Sequence, residues 1–281
     1  MRIIRTIDEL REASRGAASI GLVPTMGALH EGHLSLVRAA RAENELVVVS
    51  VFVNPTQFND PADLAAYPRT EARDAELAAG AGADLVFAPN AAEMYPEGHA
   101  TSVHVLGPIT EVLEGASRPG HFDGVATVVS KLLIAAQATR AYFGQKDAQQ
   151  LLVVQRLVRD LRLPTEIVPC PTSREPDGLA RSSRNERLSA PDRAVALAIP
   201  RALEAAAAQL AVGEIRASQL ASTVTEVLAA AGLEPEYVAI VDPETLAPRA
   251  TVEAPVLCAV ATRVGDVRLI DNEILVPSKE H

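Results

Sequence analysis

Residues 46–53, LVVVSVFV, form an almost unbroken run of apolar, mostly β-branched side chains. A strand with one wetted face alternates polar and apolar positions, so a run without alternation fits a parallel strand covered on both faces. Parallel neighbours need crossover connections, and the flanking sequence supplies helical ones. Further strands are expected at 19–24, 84–88, 141–143 and 165–169, with helices over about 32–43, 70–81, 125–138 and 148–161. Thr6 and Glu9 have the capping-box spacing and predict an earlier helix to about Arg15. Residues 101–105 read as another short strand and 109–114 as a short helix. The expected fold class is α/β, a Rossmann-like, doubly wound, mostly parallel sheet.

Beyond residue 187 the chain changes character. Alanine-rich helices over 191–210 and 218–231, with strands near 237–241, 256–261 and 267–275, predict a smaller α+β C-terminal domain. Pro176 and Gly178, in the polar stretch 173–187, mark the junction, so domains are expected at 1–172 and 173–281.

Several segments carry chemistry. Residues 21–33, GLVPTMGALHEGH, read as a strand, a turn with Pro24 and Gly27, and the start of a helix. The first amides of a helix lack internal partners and its dipole is positive there, so such an end favours a phosphate. His30 and His33, three residues apart, fall near one face of that first turn. An incomplete zinc site or a hydrated helix end would read the same way. The polar stretch 54–58, NPTQF, follows the strand at 46–53, at the end where open α/β sheets bind ligands. In 118–124, RPGHFDG, an arginine and a histidine precede a helix, which fits a second anion contact or an ordinary N-terminal turn. At 144–147, GQKD, Gly144 permits close backbone approach, Lys146 brings a point charge suited to phosphate, and Gln150 lies one turn further on. Ser182, Ser183 and Arg184 set two hydroxyls beside a guanidinium, which suits a polyphosphate or a solvated loop.

Charge narrows the partners. With 36 acidic and 26 basic residues the formal net charge is −10, so a general nucleic-acid surface is not expected. Cys170 and Cys258 lie far apart and form no metal-binding spacing, the amino terminus lacks the apolar core of an export signal, and the run 46–53 is too short to span a bilayer. A soluble, reduced, cytoplasmic protein is the expectation, with no membrane partner.

His30-Glu31-Gly32-His33 is the HxGH signature of the nucleotidyltransferase superfamily, and residues 24–33 resemble the PTMGxLHxGH box of the pantothenate synthetase family. RPGHFDGVATVVSKL at 118–132, YFGQKDAQQL at 142–151, DGLARSSRN at 177–185, YVAIVDPETL at 237–246 and RLIDN at 268–272 resemble that family in the same order. The resemblance implies an ATP-dependent ligase that joins pantoate to β-alanine through pantoyl adenylate, with Mg²⁺ on the ATP phosphates and no named protein ligands. It implies an ATP site from Met26, Gly27, Ala28, Leu29, His30, Glu31, Gly32, His33, Gly144, Gln145, Lys146 and Asp147, joined by Ser173, Arg181, Ser182, Ser183 and Arg184. His33, with His30, Lys146 and Arg184, would carry catalysis, His33 as the acid. Gln57 and Gln150 would bind pantoate, with Met26, Asn54, Arg118 and His121 also facing substrate. The first domain would bind ATP and pantoate, the second would act as a lid, and the assembly would be a homodimer formed largely through the larger domain. Two positions depart from the family pattern: Arg181 stands where Met or Leu is expected, and Ser173 where Val is.

Three other readings use the same residues. An adenylyl or cytidylyl transferase of a phosphorylated substrate would keep His30, His33 and the Ser-Ser-Arg segment but not need Gln57 and Gln150. A regulatory module would bind ATP without releasing pyrophosphate. A metalloprotein would gather His30, His33 and His121.

Overall fold

The structure is a computed structural model in which residues 1–59 and 61–277 are described. The chain divides into two compact units, Met1–Thr172 and Ser173–His281. The strands are β1 (Arg2–Ile4), β2 (Ile20–Thr25), β3 (Leu46–Val51), β4 (Leu85–Phe87), β5 (Arg140–Gly144), β6 (Glu166–Cys170), β7 (Pro235–Val241), β8 (Val256–Val264) and β9 (Val267–Leu275). The helices of the first unit are α1 (Ile7–Ser14), α2 (Glu31–Glu43), α3 (Pro61–Ala66), α4 (Glu71–Gly80), α5 (Ala91–Met94), α6 (Pro108–Glu111), α7 (Glu114–Ser117), α8 (His121–Ala136) and α9 (Ala148–Asp160). The second unit adds α10 (Ala190–Ala196), α11 (Ala198–Ala211) and α12 (Ala217–Ala230).

In the first unit six strands lie in the order β1-β4-β3-β2-β5-β6, all parallel. The central strands are buried on both faces: Leu22, Val23, Val47, Val48 and Val49 are fully enclosed. One face packs Val23, Val47, Val49 and Val86 against Leu36, Val37 and Ala40 of α2 and Ala75 and Ala78 of α4. α1 starts as its capping box requires, with the Thr6 side chain accepting from Glu9 N–H and Glu9 reaching back to the Thr6 N–H.

Four expectations need correction, and one of them is the single short helix over 109–114, which breaks at Leu113, φ +49°, between α6 and α7. Residues 101–105 pair with no strand among the described residues; Val103 N–H is donated to the Thr127 hydroxyl, so a side chain takes the place of a ladder partner. The helix expected from 125 begins at His121, because Gly120, with φ +79°, takes the left-handed turn that aims the chain into it. The alanine-rich helix expected over 191–210 divides at Leu197 into α10 and α11, which places Pro200 in the first turn of α11, where its missing N–H has no intrahelical partner to lose.

In the second unit β7, β8 and β9 form an antiparallel meander. Ile199, Leu203 and Leu210 of α11 and Leu220, Val224 and Leu228 of α12 pack with Cys258, Val260 and Leu269 of the sheet in one core.

Candidate active site

From β2 the chain builds β3 and β4 on one side, then returns to build β5 and β6 on the other. The gap between the carboxyl ends of β2 and β5 is therefore the topological switch point, where doubly wound sheets bind ligands. β2 runs into the turn at 26–30 and then α2; β5 runs into a 3₁₀ turn, Gln145–Asp147, and then α9. The segments 26–33 and 144–147 lie side by side here because β2 and β5 are neighbours in the sheet.

The turn at 26–30 is held on two sides. Thr25 donates its hydroxyl to Ser50 O at 2.6 Å and accepts from Gly27 N–H at 3.2 Å. Asp74 of α4 accepts from Ala28 N–H at 3.0 Å and Leu29 N–H at 2.7 Å. Gly27 has φ +85° and a Cβ there would lie 3.0 Å from Asp74 Oδ2, so both conformation and space call for glycine. Ala28 also sits in the left-handed region, at φ +50°.

The amino end of α2 differs from the open phosphate site expected of it. His30 is the N-cap, and its Nδ1 accepts from Gly32 N–H at 3.1 Å while its carbonyl accepts from His33 and Leu34 N–H at 2.8 and 3.1 Å. His33 Nδ1 in turn accepts from His30 N–H at 3.4 Å. The helix-end amides of Gly32, His33 and Leu34 are thus taken, and each ring must keep its proton on Nε2. The helix end thus carries two imidazole rings protonated on Nε2, their centroids 4.0 Å apart. Burial, then the neighbouring His30, push the His33 imidazole down to about 3; Lys146 acts in the same sense and Asp147 opposes it. His33 is therefore neutral in the protein without ligand, a donor rather than a standing acid, and it feels residues from both strand ends. Lys146, whose side chain is largely buried, lies 3.7 Å from Asp147 Oδ1.

A second group surrounds the 3₁₀ turn Pro55–Gln57 after β3. Asn54 is fully buried and donates to Gln57 Oε1 and to Gly124 O, both at 3.1 Å, while its own oxygen accepts from Tyr95 OH at 2.8 Å. The carbonyl of Gln57 receives Arg118 Nη2 at 3.1 Å and His121 Nδ1 at 3.0 Å. His121 Nε2 is 3.2 Å from Arg118 Nη1 and accepts from it. Burial, then the Arg118 charge, push this imidazole down to about 4. Asn54, Gln57, Arg118 and His121 are thus brought together, and both His121 ring nitrogens are used within the protein, which leaves it no lone pair for a metal shared with His30 and His33.

Adjacent glutamines of α9 divide differently. Gln149 is buried, with its amide donating to Ile109 O and Val112 O and accepting from Glu114 N–H. Gln150 is only half-buried.

In the second unit, residues 173–187 form a loop with internal hydrogen bonds. Arg174 and Ala180 form an antiparallel bridge, Arg181 N–H donates to Ser173 O at 2.9 Å, and Arg174 pairs with buried Asp271 at 2.7 Å. Ser182 caps a 3₁₀ turn, Ser183–Arg187, by accepting from Arg184 N–H at 3.3 Å. Arg181 donates Nε to Arg174 O at 3.2 Å, so its charge serves this turn's own packing.

Sequence reasoning passed over Asp74 and Tyr95. Asp74 projects onto the same helical stripe as buried Ala75 and Ala78, and a carboxylate on that stripe was the available signal. Elsewhere in the unit Ser102, His104 and Asp123 form a Ser–His–Asp chain, with Ser102 Oγ 2.8 Å from His104 Nε2 and His104 Nδ1 3.0 Å from Asp123. The amide after Ser102 is donated to Thr127, so it provides no oxyanion donor, and the chain reads as a surface network.

The family model described as pantoate-beta-alanine ligase matches residues 2–274. A pantothenate synthetase of Chelativorans sp. (strain BNC1) is 55% identical over 274 residues, covering 96% of each chain. A bifunctional pantoate ligase/cytidylate kinase of Gloeobacter violaceus is 54% identical over 281 residues; 98% of this chain is covered, and the match spans 55% of that protein. Among solved structures, pantothenate synthetase from Thermus thermophilus superposes with a TM-score of 0.94 at 50% identity, covering 99% of this chain and all of that one. Pantoate-beta-alanine ligase from Francisella tularensis, complexed with beta-gamma ATP and beta-alanine, gives a TM-score of 0.80 at 36% identity, covering 98% of this chain and 97% of that one.

Proposed function

The chain belongs to the pantoate–β-alanine ligase family, and from that membership we propose how its residues divide the work. The enzyme condenses pantoate with β-alanine at the expense of ATP. In the proposed course the pantoate carboxylate attacks the α-phosphate, its oxygen forming the new P–O bond as pyrophosphate leaves. The β-alanine amine then attacks the acyl carbon of pantoyl adenylate and displaces AMP. The observation that carries this reading is the convergence of two Nε2–H imidazoles and Lys146 at the β2/β5 switch point.

Such donors stabilise charge that grows on phosphate oxygens without a covalent step of their own. His30 and His33 hydrogen-bond the phosphates through Nε2, and Lys146 neutralises them. A bound triphosphate favours the protonated form of His33, so the proton donor of the reaction arises with the nucleotide rather than before it. Among the described residues nothing requires glycine at 144, where φ is −74° and a Cβ would meet no atom within 4 Å; close approach of the nucleotide explains it. Met26, Gly27, Glu31, Gln145 and Asp147 line the nucleotide, whereas Ala28 and Leu29 act through the shape of the turn, because their amides are committed to Asp74. Ser182, Ser183 and Arg184, with Ser173, serve the polyphosphate from the second unit, which acts as a lid, while Arg181 supports them by packing the turn that carries them. Mg²⁺ fits as an ion carried on the phosphates, where it would offset their charge; among the described residues no group of three or more His, Cys, Asp or Glu side chains would cage it.

Gln57 and Gln150 bind pantoate. The Gln57 oxygen is occupied by Asn54, which leaves its NH₂ for the substrate, while Asn54, Arg118 and His121 hold the glutamine in place. Gln57→Ala and Gln150→Ala are expected to weaken pantoate binding while ATP binding persists. Calorimetry in which ATP binding is lost and pantoate binding survives would contradict the assignment. A cytoplasmic homodimer formed largely through the larger unit follows the family resemblance.

A further inference from the structure

The turn that carries His30 is held from behind by a group outside the assignment above. Asp74 lies in the first turn of α4 and is 1% exposed. Its oxygens accept from Ala28 N–H, Leu29 N–H and, at 3.1 Å, the Thr70 hydroxyl. Among the described residues no basic side chain pairs with it; the two turn amides and the Thr70 hydroxyl are its partners. Aiming two successive amides at one carboxylate fixes both peptide planes. Because a trans peptide sets C=O opposite N–H, the Gly27 and Ala28 carbonyls are thereby turned away from α4. The left-handed φ of Ala28, a conformation that side chains disfavour, persists because these bonds hold it.

We propose that Asp74 is a positioning residue for adenylate formation: it never touches substrate, and it holds the turn so that the His30 and His33 donors meet the phosphates. The proposal rests on the assignment of those imidazoles to the nucleotide. Asparagine at 74 keeps the shape but turns an NH₂ toward one of the two amides, so one bond is replaced by an opposed pair of donors.

The test is pantoate-dependent pyrophosphate release by the full chain and by Asp74→Asn, with hydrogen exchange at residues 28 and 29. The expected result is a kcat lower by on the order of 10- to 100-fold, KM for pantoate within about twofold, and faster exchange confined to the turn. A folded variant with unchanged kcat overturns the proposal, as does a loss that only tracks the unfolded fraction. If Asp74→Asn does not fold, Thr70→Val removes one donor to the same carboxylate; Thr70 makes no N-cap bond of its own, so a several-fold loss of kcat is expected and an unchanged kcat overturns the proposal. Wild-type protein that releases no pyrophosphate would instead sink the assignment on which the proposal rests.

Discussion

At the scale of single residues, the site is built from neutral imidazoles. His121 and His33 are held near 4 and 3, against an ordinary value of about 6.5. A histidine whose folded pKa is lowered takes up its proton first in the unfolded chain, so its contribution to stability is complete above about pH 6.5 and is lost as pH falls toward the folded value. The urea midpoint of the larger unit is expected to fall between pH 7 and 5, and His121→Gln to flatten that slope. A midpoint constant over this range would mean that these rings are not held neutral. The pair Gln149 and Gln150 shows what sequence could and could not tell at this scale. Sequence placed Gln150 one turn into the helix and resemblance gave it a substrate role; what sequence did not display is that Gln149 uses both ends of its amide within the protein. The stripe on which Asp74 falls was legible and its role was not, because its partners are backbone amides 45 and 46 residues away.

At the scale of elements, strands and helices with a strong local period were readable, and their ends were set by contacts that sequence does not display. β9 and the capped start of α1 follow directly from patterning and capping. β1 was missed because three residues at the sheet edge carry too little period to register. Residues 101–105 have a strand's pattern and no strand partner among the described residues, so propensity was overridden by tertiary context. The approach of α8 to the turn Pro55–Gln57 is close enough that a Cβ at Gly124 would lie 2.3 Å from Thr56 O and 2.9 Å from Gln57 N. Gly124→Ala must displace that turn, with a loss of stability on the order of 2 kcal/mol and weaker pantoate binding. Urea denaturation and a pantoate titration measure both; unchanged pantoate affinity would separate the position of Gln57 from substrate binding.

At the scale of the whole molecule, topology rather than composition assembles the site, because the β2/β5 junction brings residues more than a hundred positions apart to one crevice. Composition alone would mislead elsewhere. Ala190–Ala211 is long and apolar enough to cross a membrane by length and composition, yet Ile199, Leu203, Ala206 and Leu210 are enclosed in the core of the second unit. The division of labour between strand-end donors and two substrate glutamines is tested most directly by pyrophosphate release from ATP and Mg²⁺, measured with pantoate alone and then with β-alanine. Release should require pantoate, pantothenate should form only when β-alanine is added, and Lys146→Ala should slow release on the order of 100-fold. Release without pantoate, or at an unchanged rate in Lys146→Ala, would contradict it.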